Sequence, residues 1–71
     1  MDTETPKEAL QEALRAIGGA AALARRLGIK QPSVFGWEQV PAGRVLAVEA
    51  ATGVRRERLR PDIYPPSEAA E

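Results

Sequence analysis

Cysteine and histidine are both absent from this chain of 71 residues. Disulfides, thiol nucleophiles, imidazole bases and the usual zinc ligands are thereby excluded together. Aromatic residues are almost as scarce: Phe35, Trp37 and Tyr64 are the whole inventory. Ala, Leu, Val and Ile must therefore fill the core, which suits a small helical domain. A chain this short buries only roughly 60% of the surface that its unfolded form exposes, so that core has to be economical. No apolar run approaches the roughly 20 residues of a membrane span, and the opening "MDTETPKEAL" is acidic where a secretory signal is basic. The expectation is a cytoplasmic protein with no membrane partner, no metal and no cofactor. Glu38, Glu49 and Glu57 are the central carboxylates and form no pattern of paired acid and base, so an enzyme is not expected.

Charge is present in balance, with a formal net charge of zero, but it is segregated along the chain. Residues 1–14 set Lys7 against Asp2, Glu4, Glu8 and Glu12, a net −3, and residues 61–71 carry Asp62, Glu68 and Glu71 with no base, again −3. Between them, residues 15–60 hold Arg15, Arg25, Arg26, Lys30, Arg44, Arg55, Arg56, Arg58 and Arg60 against three glutamates, a net +6. A basic block of this kind suits a partner rich in phosphate, although solvated helix faces account for it equally well.

The first helix starts at "TPKE", where Thr5 caps, Pro6 fits the first helical position and Glu8 completes a capping box. Leu10, Leu14 and Ile17 follow on one stripe, and "GG" ends the helix. A second short helix, "AAALARRL", turns Leu23, Ala24 and Leu27 inward and Arg25 and Arg26 outward, and stops at Gly28. A third begins near Gln31 and runs to about residue 38, anchored by Val34 and Trp37. Pro41 opens a fourth, "PAGRVLAVEAAT", with Val45, Leu46 and Val48 expected inside and Gly53 as its stop. "VRRERL" suits one more helical turn, and "RPDIYPPSEAAE" reads as extended and then disordered. Residues 1–4 are expected to be disordered, 5–64 to form the domain and 65–71 to be a disordered acidic tail. No internal repeat and no alternating strand pattern is present.

Two short helices joined by "GIK" need small residues where their backbones approach. Ala24 leaves that room, Gly28 permits the turn, Ile29 plugs the junction, and Val34 with Trp37 anchors the second member. This is the spacing of a helix-turn-helix, whose second helix lies in the DNA major groove. An ordinary helical hairpin with no ligand satisfies each position by packing alone.

With "LARRLGI", the "QPSV" and Trp37 of the third helix, "VPAGRVLAVEAATG" and "LRPDIYP", residues 8–65 resemble the Cro/CI-type helix-turn-helix proteins. The resemblance is closer to the YdaS-like prophage antitoxin and Cro-like repressor family. It implies an all-α, lambda-repressor-like domain of four to five short helices that binds an operator, usually as a dimer. Carried onto this sequence, it makes Gln31 a partner for adenine, Ser33 a donor to a base edge or phosphate, and Lys30 a cation for phosphate or guanine. Arg15, Arg25, Arg26 and Arg44 become phosphate contacts that set register without reading sequence. A dimer implies a palindromic operator with half-sites about one helical turn apart. The dimer is expected to be weak, with Leu59, Ile63 and Tyr64 as its contacts or, alternatively, as closure of the monomer core.

The chain departs from the family pattern at informative places. Ala20 stands where the second helix commonly begins with a glutamine that bonds phosphate, and Phe35–Gly36 stands where a serine and a cation usually precede the tryptophan. Three roles compete for Phe35: contact with a thymine methyl, packing against the second helix or a neighbouring subunit, or a surface for a protein partner. The first two are compatible with transcriptional regulation by DNA binding. The third belongs to an interaction module that neutralises a toxin or another protein.

Overall fold

A computed structural model of the chain describes residues 4–65. Five α-helices run in order through it: α1 (Pro6–Ile17), α2 (Ala20–Leu27), α3 (Gln31–Phe35), α4 (Val45–Thr52) and α5 (Arg56–Leu59). A 3₁₀ turn (Ala42–Arg44) leads into α4, and no strand occurs among the described residues. The all-α expectation holds. The disordered tail expected over 65–71 lies outside the described residues from residue 66 on, as do residues 1–3 of the N-terminal segment.

The start of α1 is fixed locally. Thr5 accepts from the Glu8 backbone N–H at 3.1 Å while Glu8 accepts from the Thr5 N–H at 3.1 Å, so two otherwise orphaned donors are satisfied reciprocally. Ala9, Leu10 and Ala13 are its buried residues, whereas Leu14 and Ile17 are only half-buried. Small side chains on the inner face let α4 and α5 lie close against the helix.

The α2–α3 pair is the most closely associated in the fold. Gly28 sits between them at φ 74°, a left-handed conformation strained for any side chain, and the Ile29 N–H reaches back to the Ala24 carbonyl at 2.9 Å. Leu23, Ala24 and Val34 are buried where the two helices meet. They join Val40, Val45, Val48, Val54 and Leu59 in one core, with Trp37 and Tyr64 packed on its edge.

Four expectations require correction. The third helix ends at Phe35, short of residue 38, because the Gly36 N–H bonds to the Pro32 carbonyl and the Trp37 N–H to that of Val34, closing the last turn. Gly36 is thus the C-cap of the helix and not an interior position. Leu46 is 50% exposed, since α4 is apolar nearly all round and its packing selects the face carrying Val45 and Val48. Leu59 is fully buried and closes the monomer core, so it offers no dimer surface. The stretch after α5 turns instead of extending, with the Ile63 and Tyr64 N–H groups both donating to the Arg60 carbonyl.

Candidate nucleic-acid interface

Lys30, Gln31, Ser33 and Phe35 are all exposed, clustered at and along α3. Lys30 occupies the N-cap position in extended conformation and makes no side-chain cap bond, so its ammonium is available to an outside partner. Val34 is the buried anchor that turns the rest of this short helix outward. Phe35 is 70% exposed and borders a cleft of 270 Å³ between α1, at Leu10 and Leu14, and the segment reaching Trp37 and Glu38. The ring therefore does not fold back against α2 within the monomer. A Cβ at Gly36 would meet nothing closer than 3.7 Å, so the glycine is not there to admit a neighbouring backbone.

The ten cations divide sharply. Among the described residues, Lys7, Arg15, Arg25, Arg26, Lys30 and Arg44 make no salt bridge, and all but Lys7 belong to the expected contact set. Arg25 and Arg26 lie in the last turn of α2 and border one shallow depression with Ala22 and, from the end of α1, Ile17. Arg15 sits in the last turn of α1 and Arg44 at the entry to α4. Glu38 and the capping residue Glu8 are the described carboxylates without a salt bridge.

Arg55, Arg56, Arg58 and Arg60 are paired with carboxylates of the same chain. Arg58 forks onto Glu4 at 2.6 and 2.9 Å and also pairs with Glu12, tying α5 to both the approach to α1 and its second turn. The bond to Arg58 holds the Glu4 carboxyl below its ordinary range, and the two carboxylates push the Arg58 guanidinium further up. Glu49 accepts from the Arg56 backbone N–H at 3.2 Å and from its Nε at 3.0 Å, and lies 3.3 Å from Arg55. Burial pushes the Glu49 carboxyl up, but the Arg56 bonds and both guanidinium charges outweigh it and the net shift is downward. Arg56 also stands 5.7 Å over the Tyr64 ring, and Arg60 bridges Asp62 and the Val40 carbonyl.

The basic block read along the sequence therefore splits in two: a neutralised half around α5 and a free half from α1 to the start of α4. The spacing of Arg55 to Glu57 and of Arg60 to Asp62 was a local sign of the pairing. Glu4 and Glu12, which lie 54 and 46 residues from Arg58, were not.

A family model described as bacterial toxin YdaS matches residues 10–68. The chain is similar to YdaS of Escherichia coli (strain K12), a candidate transcriptional regulator, with 46% identity over 59 residues. That match covers 75% of this chain and 60% of the relative, so the chain spans about three-fifths of the length of the curated relative it matches. No solved structure matches it significantly.

Proposed function

The chain belongs to the YdaS family, and from that premise we propose that it binds double-stranded DNA sequence-specifically and regulates transcription, with α3 in the major groove. The observation that carries this reading is the sorting of cations: those without a carboxylate partner among the described residues lie between Lys7 and Arg44, around the helix-turn-helix. A polyanion supplies the charge that this half of the molecule lacks.

In this reading Gln31 presents its amide to adenine, Ser33 its hydroxyl to a base edge or phosphate, and Lys30 its ammonium to guanine or phosphate. Phe35 completes the exposed face. Arg15, Arg25, Arg26 and Arg44 hold phosphates and fix register. Ala20 contributes no side-chain hydrogen bond at the start of α2, so α2 grips through Arg25 and Arg26. Two copies on a palindrome would meet weakly, with Ile63 at 43% exposure and half-buried Tyr64 as the contacts that remain once Leu59 is assigned to the core. The regulatory setting is a prophage Cro-like repressor or an antitoxin that represses its own operon in the bacterial cytoplasm.

Selection of bound duplexes from a random DNA pool tests the reading. The wild type is expected to enrich a palindromic motif, and Gln31→Ala to relax one base position by about 1–3 kcal/mol. Failure to enrich any motif at low salt would contradict it. A second reading, a module that captures a toxin or another protein, is favoured by one observation, the 70% exposure of Phe35. Partner binding insensitive to salt would mark that alternative.

A further inference from the structure

The exposed face of α3 has an apolar centre. At about 100° per residue, the direction opposite buried Val34 is held by Pro32, with Phe35 and Ser33 on either side of it. Pro32 and Phe35, three apart, are neighbours on one exposed side of the helix and form an apolar ridge there. Phe35 is the last residue of the helix, and Gly36 adds no side chain beyond it. The ridge is flanked in sequence by Lys30 and, through the Gly28 turn, by Arg25 and Arg26, cations without a salt bridge among the described residues.

An exposed apolar pair flanked in sequence by cations that make no salt bridge among the described residues fits a polyanion with apolar groups at a fixed height above its phosphates. In the major groove, the apolar group on an unmodified base edge is the C5-methyl of thymine. Against any other base edge, Phe35 and Pro32 would strip water from hydrogen-bonding atoms and offer nothing in return. We propose that the Pro32–Phe35 ridge reads pyrimidine C5-methyl groups, so that binding depends on thymine methyls and responds to C5-methylation of cytosine. The inference rests on the DNA-binding reading and names what that site distinguishes.

Deoxyuridine keeps every hydrogen-bonding atom of thymidine and lacks only the methyl, which makes it a direct probe. The strongest duplex selected by the wild-type chain is resynthesised with deoxyuridine at one thymidine at a time, and affinities are measured for wild type and Phe35→Ala. Phe35 is largely exposed, and circular dichroism checks that the variant keeps its fold. The wild type is expected to lose roughly three- to tenfold at one or two positions per half-site, and Phe35→Ala to bind the thymidine and deoxyuridine forms alike. At the same positions, 5-methylcytosine is expected to bind wild type more tightly than cytosine does. Equal affinity of wild type for all thymidine and deoxyuridine duplexes would overturn the proposal and leave DNA binding intact, as would discrimination that survives in Phe35→Ala. A wild type that selects no duplex overturns both readings.

Discussion

Two arginine-rich stretches of this protein look alike on paper and differ in use. Arg25 and Arg26, in the last turn of α2, make no salt bridge among the described residues, whereas Arg55, Arg56, Arg58 and Arg60 are each held by one or more acids. The difference lies in what the fold brings near them. Glu4 and Glu12 come from the other end of the chain to meet Arg58, and Glu49 turns toward α5 from the preceding helix. No acid lies on α2 itself, so its outer face stays positive. Clustered charge in a sequence is thus a weak sign of a binding surface until the cancelled part has been removed.

The comparison can be broken most completely through the core on which both regions stand. Leu23→Ala, at a fully buried position, is expected to cost about 2–5 kcal/mol, enough in a domain this small to remove stability and DNA binding together. Denaturant unfolding alongside duplex binding checks it.

A smaller effect should separate the two halves. Arg58→Ala breaks the tie to Glu4 and Glu12, and because all three side chains are partly exposed the expected cost is only about 1 kcal/mol, with duplex affinity of the folded protein unchanged. This tie and the pairing of Glu49 with Arg55 and Arg56 predict a pH dependence. Glu4 and Glu49 have folded-state pKa values below their unfolded ones, so their contribution is fully present above the unfolded carboxylate range and is lost as pH falls through the lowered folded values. Urea unfolding of the wild type should weaken on acidification, and Arg58→Ala should flatten the part due to Glu4.

Much of the fold could be read from local signals. The Thr5–Glu8 capping box and the glycines at 18, 28 and 53 mark helix ends through chemistry confined to a few residues, and the structure places those ends there. The end of the third helix is not legible in the sequence because a glycine after Phe35 suits a helix interior or a cap, and only the closing bonds from Gly36 and Trp37 decide between them. Leu46 misled because "VLAVEAAT" is apolar around most of its circumference, so periodicity selects no face. At the candidate interface, the exposure of Gln31, Ser33 and Phe35 followed from the single anchor Val34. The withdrawal of Arg58 from the basic surface did not follow from sequence, since it depends on contacts 46 and 54 residues away.

The smallest expected effect sharpens the comparison at α3. Lys30→Ser supplies the side-chain cap that this helix lacks and should stabilise the protein by about 0.5–1 kcal/mol, while removing a cation from the candidate reading surface. Thermal melts should rise as duplex affinity falls. A variant that gains stability without losing affinity would show that Lys30 does not touch DNA.

The central claim, that the free cations grip DNA and the paired ones do not, is tested most directly by the salt dependence of duplex affinity. It should be measured for wild type, Arg25→Ala/Arg26→Ala and Arg55→Ala. Each lost phosphate contact should reduce the slope of log affinity against log salt by about 0.9. The α2 double variant is expected to lose up to twice that amount, and Arg55→Ala to keep the wild-type slope. An unchanged slope in the double variant, or an equal loss in Arg55→Ala, would contradict the division of this molecule into a gripping half and a neutralised one.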